Sequence, residues 1–267
     1  MHLSQFPNPK LVLPNEIRDS TDFDSFQVVE NYLVFMSEYI YTDINLNHGA
    51  GSPNPSSEKH VHSWVLRIVS ANLFRSLYIR NSFVETFNAR NYVGIYFSLK
   101  AWLEVVGVMA YILDLLDSNL TTNQLHTALE PFALGNRGKG SLRVGIIDSK
   151  SVQTMIEKAD RLIKKMQKDE GITELENNIF TEFYDIASNP SHPSYDALDI
   201  IGEMDRNQTI WKIKSPEKIK ALFVSEIGLY RGLLTSVYFL EIFCKKIFEI
   251  EKDVFLSFNS KKYFDTL

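Results

Sequence analysis

The stretch Asn91-Tyr-Val-Gly-Ile-Tyr-Phe-Ser-Leu-Lys-Ala-Trp-Leu-Glu-Val-Val-Gly-Val-Met-Ala-Tyr-Ile-Leu-Asp-Leu-Leu116 decides the fold. Its apolar residues fall on nearly every face of a helical wheel, the pattern of a helix buried on all sides. A surface helix would instead confine them to one stripe. The segment is therefore expected at the centre of a core made by other helices. It is too short to cross a bilayer: charges bound its apolar run 105–113 at Glu104 and Asp114. The second apolar run, Gly232–Leu240, is bounded in the same way by Arg231 and Glu241.

Helical patterns surround this segment in sequence. Ser56 or Ser57 caps a helix that runs to about Phe87, with Glu58 in its first turn complementing the dipole. A shorter helix covers residues 121–134 and ends at Pro131 or Gly135. Asp148–Lys168 carries Val152, Met155, Ile156, Ala159, Leu162, Ile163 and Met166 on one face. A helix over Ile172–Ala187 leads to a proline-bracketed histidine, and a long one begins at Pro216 and reaches about Phe248. Asp22 to about Asn45 also has apolar residues close to helical spacing. In residues 197–214, Trp211-Lys-Ile-Lys alternates like a short strand.

These segments predict an all-α bundle of about seven helices: an irregular arm at 1–20, holding three prolines, and a single helical domain over 21–267. The turn-rich stretches 47–57 and 135–145 are loops.

Composition narrows the function classes. Net charge is −5, so a broad electrostatic grip on nucleic acid or on an anionic membrane is not expected. A single cysteine excludes an intrachain disulfide and any multi-cysteine metal site. Cys244 lies in an apolar run and reads as a small buried hydrophobe. The first residues lack the basic and apolar regions of a signal peptide, which makes the cytoplasm the expected compartment. Nothing in the chain calls for a cofactor.

Three constellations could carry chemistry. His192 stands in Phe183-Tyr-Asp-Ile-Ala-Ser-Asn-Pro-Ser-His-Pro-Ser-Tyr195, where prolines hold Asn189 and His192 extended beside Tyr184. An imidazole near its ordinary pKa suits general acid–base work, and the same fixed geometry suits a structural turn. Lys100 and Glu104 sit one turn apart on the apolar helix. They are either an ion pair on its thin solvent stripe or a polar cluster facing a cleft. Arg137, Lys139 and Arg143 lie among four glycines in 135–145. The spacing is wrong for a Walker A loop, but the amides and cations suit an anion or an RNA phosphate as well as they suit a plain connector. His60 and His62, two apart, cannot chelate one metal from a helix, so a structural or solvated role is expected.

The order of these segments resembles that of uncharacterised bacterial helical proteins of the DUF5677 type. The resemblance rests on Leu99-Lys-Ala-Trp-Leu-Glu104, on Met155-Ile-Glu-Lys-Ala-Asp160 and above all on the His-Pro segment ending at Pro193, and it covers about residues 90–200. Lys100 stands where that group usually has arginine, and Asn189-Pro190-Ser191 replaces its usual Glu-Tyr-Val. Such proteins are similar in outline to HEPN domains, helical bundles of toxin–antitoxin and phage-defence systems. Active HEPN ribonucleases place an arginine five to seven positions before a histidine; the window before His192 holds Asp185, Ile186 and Ala187.

The resemblance therefore implies a HEPN-like core without the usual ribonuclease motif. The resulting expectation is a non-enzymatic module that binds a protein or nucleic-acid partner in bacterial stress or defence, or that pairs with itself through its long C-terminal helix. The alternative is a metal-independent ribonuclease or nucleotide-processing enzyme, with His192 as acid–base, Lys100 and Arg137 on phosphate charge, and Tyr184 or Glu104 orienting the histidine.

Overall fold

The computed structural model describes residues 5–12, 31–32, 34–43, 58–134, 151–169, 171, 178–191, 200, 202–204, 210–215, 226–256 and 261–262. The described elements are β1 (Tyr41–Asp43), α1 (Glu58–Asn88), α2 (Tyr92–Leu116), α3 (Thr122–Leu134), α4 (Val152–Asp169) and α5 (Ile179–Ser188). A single 3-10 turn (Asn189–Ser191) follows α5, and then come β2 (Gly202–Met204), β3 (Trp211–Ile213), α6 (Glu226–Leu256) and β4 (Lys261–Lys262). The fold is all-α, a helical bundle with two short strand pairs.

Helix α2 is the axis. Every residue from Val105 to Leu113 is buried, because α1, α4, α5 and α6 all pack against it. Asn91 caps it, its side chain accepting from the Gly94 amide at 3.1 Å. Arg90, at φ 52°, ends α1 in the left-handed region and turns the chain straight into α2. The hairpin that results is antiparallel, with Ser82 facing Ser98 at 3.1 Å and Arg75 reaching Glu104. Gly107 lets α4 approach closely: a Cβ there would meet the Ile156 and Met155 backbone at 3.3 Å. Helix α4 is one-faced as its pattern implies, burying Met155, Ile156, Ala159, Leu162 and Ile163. At its rim Lys158 pairs with Asp114, and Lys165 with Asp117 at 2.8 Å. Such rim pairs add about 0–1 kcal/mol each, so the buried apolar face holds α4 in place.

The helix expected from Asp22 to Asn45 is present at residues 31–32 and, among the described residues, departs from that reading only at its end. Residues 34–37 are helical, 38–39 turn, and 41–43 form β1, antiparallel to β4. Here a long-range pairing overrides local periodicity: Tyr41 lies opposite Lys262 and its ring stacks on Phe248 of α6, 6.3 Å between centroids. The alternation at Trp211 does produce a strand, β3, paired with β2. Cys244 is buried, and burial pushes its thiol well above the ordinary value. Among the described residues, no helix is long and apolar enough to cross a membrane.

One buried ion pair closes the bundle. His62 Nδ1 of α1 lies 2.5 Å from Glu251 Oε2 of α6, whose side chain is 1 % exposed. Glu58, one turn earlier, lies 3.9 Å from the other ring nitrogen. The hydrogen bond with Glu251 raises the imidazole pKa above its usual 6.5, against the opposing effect of burial. A raised folded-state pKa adds stability that is fully present below the unfolded value and lost as pH climbs through the folded one. Thermal melts from about pH 6.5 upward should therefore show stability declining as pH climbs through the raised folded-state pKa, and Glu251→Gln should flatten the decline. His62→Ala should cost about 3 kcal/mol, since it leaves a buried carboxylate without its counter-charge. A pH profile identical in wild type and Glu251→Gln would contradict this assignment.

Candidate functional site

The solvent stripe of α2 is narrow. Val93, Gly94, Phe97, Lys100, Ala101 and Glu104 are its partly or fully exposed positions before the buried run begins, and their spacing puts them on one side of the helix. Lys100 and Glu104 therefore occupy the only side of the first half of α2 where a charge keeps water. The stripe lies between two neighbours. From α1, Arg75 Nη2 reaches Glu104 Oε2 at 3.5 Å; from α5, Tyr184 lies close enough to feel the Glu104 charge.

Glu104 thus pairs with α1 and lies within electrostatic range of α5. The Arg75 and Glu104 side chains are 49 % and 24 % exposed, so the pair is a rim contact of modest energy. Burial pushes the Tyr184 phenol above its usual 10, the Glu104 carboxylate pushes it further, and a hydrogen bond with Ser188 works the other way. Tyr184 is consequently a neutral hydroxyl at physiological pH. The arrangement offers a paired cation and anion, a neutral hydroxyl and, one helical repeat from Glu104, the 51 % exposed ring of Phe97. These groups suit recognition better than proton transfer, because neither charge stands alone.

Helix α5 is positioned by a residue outside it. Its first residue is preceded by Asn178, which makes no side-chain cap. Instead the buried Asp160 of α4 accepts from the Phe180 amide at 2.8 Å, the Thr181 amide at 3.0 Å and the Thr181 hydroxyl at 2.7 Å. The carboxylate satisfies the orphan donors of the helix N-terminus and complements its dipole. Asp160 so fixes the helix that carries Tyr184. The 3-10 turn after α5, with Pro190 buried, packs against α2 and α5.

Of the sequence candidates, Lys100 and Glu104 lie on the solvent stripe of α2, and Tyr184 lies on α5 within electrostatic range of Glu104. His192 lies outside the described residues, as do Arg137, Lys139 and Arg143. His60 and His62 are on α1, as expected for histidines that do not share a metal. His62 pairs with Glu251, and His60 sits against Trp64 and His126, centroids 5.1 and 6.1 Å away. Among the described residues no three His, Cys, Asp or Glu side chains are grouped to hold a metal ion.

Sequence reasoning missed Arg75 and Asp160. Arg75 gave no signal beyond an exposed position on α1. Asp160 did give one, an acidic residue on the apolar face of α4 between Ala159 and Leu162–Ile163, a place where burial demands a partner.

No family model, curated protein or solved structure matches this chain.

Replacing Glu104 by Gln tests the geometry directly. The phenol of Tyr184 should then titrate at lower pH than in wild type while remaining above 10, because burial still acts on it. Spectrophotometric or NMR titration of the tyrosines reads the shift. No shift in the Tyr184 signal would separate the two residues and remove the three-helix site.

Proposed function

We propose that this chain is a non-catalytic helical binding module whose partner docks on the face shared by α1, α2 and α5. The observation that supports this most is the position of Glu104, which engages Arg75 of α1 and acts on Tyr184 of α5 while the exposed Phe97 flanks it on its own helix. An exposed aromatic ring and an arginine are residue types enriched in protein-docking patches, and the partly exposed Lys100 and Glu104 supply a polar rim. Charges of both signs and a net charge of −5 favour a protein over a nucleic acid. The HEPN-like, DUF5677-type reading of the bundle, with a role in bacterial stress or defence, belongs to this proposal and rests on the resemblance of the sequence segments.

A second reading has one observation on its side. The turn Asn189–Ser191, which ends one residue before His192 in sequence, packs against α2, the helix of Lys100 and Glu104. A ribonuclease using His192 would draw on those groups.

Affinity capture with wild type and with a Phe97→Ala, Glu104→Lys chain separates the readings. The proposal expects a protein retained by wild type to fall at least about tenfold in the variant, the size of loss typical of a truncated hot spot. Equal capture by both chains would contradict it. Cleavage of total RNA that disappears in His192→Ala would transfer the site to the enzymatic reading.

A further inference from the structure

Residues 5–12, the described part of the arm, are bound against α1. Phe6 is 4 % exposed and meets Tyr78 and Phe74 of α1 edge-on, with centroids 5.2 and 6.4 Å away. Beyond Phe6, α1 reads the arm's main chain. Asn81 Nδ2 donates to the Pro7 carbonyl at 2.6 Å, and Arg80 Nη1 to the Pro9 carbonyl at 2.9 Å. Asn88 does both jobs of a strand neighbour: its Nδ2 donates to the Lys10 carbonyl at 2.9 Å, and its Oδ1 accepts from the Val12 amide at 2.8 Å.

We infer that this face of α1 is a binding groove for an extended, proline-containing peptide led by an aromatic residue, and that residues 5–12 are its exchangeable resident. Three physical features carry the inference. First, the hydrogen bonds go to main-chain groups, so they require an extended backbone and not this particular sequence. Second, Pro7 and Pro9 lack amides and bias the residues before them away from helix, so less conformational freedom is lost when the ligand docks. That is the logic of polyproline recognition, in which an aromatic-lined face and side-chain donors receive a preformed strand without ladder hydrogen bonds.

Third, the groove resists being empty. Arg80 is 1 % exposed and is steadied by Asn81 Oδ1 at 3.1 Å. Withdrawal of the arm takes a carbonyl away from a buried guanidinium and bares Phe74 beside Tyr78. What displaces the arm must therefore bring the same chemistry: an aromatic side chain followed by proline carbonyls, on a partner protein. The exposed Asn8 and Lys10 side chains leave the outer side of that ligand free to vary. This groove does not depend on the reading of the Glu104 face.

The test uses the full chain and a fluorescein-labelled peptide of sequence Gln-Phe-Pro-Asn-Pro-Lys-Leu-Val, followed by anisotropy. The tethered arm competes at an effective concentration on the order of millimolar, so binding to wild type should be weak. Phe6→Ala weakens the resident and leaves the groove intact; the peptide should then bind at least about tenfold more tightly. Adding Asn81→Ala and Asn88→Ala should abolish that gain, and a peptide with alanine in place of its phenylalanine should not bind. Equal binding by wild type and Phe6→Ala, or a gain insensitive to the asparagine replacements, would overturn the proposal. Hydrogen exchange gives a second readout on wild type alone. Excess peptide should accelerate exchange of the Val12 amide, and an unchanged rate would equally overturn it.

Discussion

The burial of α2 on all sides is the constraint on which the remaining structure depends. A helix with apolar residues all round cannot be satisfied by one neighbour, so four helices must close around it. Each neighbour is then obliged to turn its own apolar stripe inward. Only one side of α2 keeps water, over Val93 to Glu104, and the two charges of that half of the helix are found there. The candidate site thus follows from the packing: it occupies the place where the shell of helices around α2 is thinnest.

Three buried charges join parts of the chain that apolar burial alone would leave adjustable. Glu251 meets His62 across α6 and α1, Asp160 caps α5 from α4, and Arg80 holds the arm against α1. A charge taken from water is costly unless paired, so each of these side chains accepts only one arrangement of its partners. Their effect is on specificity of placement more than on net stability. Asp160 matters most for the site, because the orientation of α5 sets where Tyr184 stands relative to Glu104.

The legible part of this chain was what local pattern determines. The all-round apolarity of α2 announced a central helix, the one-faced pattern of α4 matched its buried residues, and the alternation at Trp211 marked a strand. Cys244 is buried as its apolar neighbours imply. What was not legible depends on residues far apart in sequence. Tyr41 follows a helical rhythm until Lys262, more than two hundred residues later, claims it for a strand. Arg75 and Glu104, or His62 and Glu251, become partners only once the helices are packed. For the site, Lys100, Glu104 and Tyr184 were visible as unusual residues, but their meeting point was set by α1 and Asp160.

Two surfaces of α1 make separate contacts, one with α2 and one with the extended residues 5–12. Both depend on α2 holding α1 in a fixed rotation. Native-state hydrogen exchange of the α2 amides tests that dependence most directly. The account predicts that the amides of Val105–Leu113 are the slowest in the protein and exchange only through global unfolding, with an exchange free energy equal to that of unfolding. Exchange of these amides by local opening, while those of α4 or α6 remain protected, would contradict it.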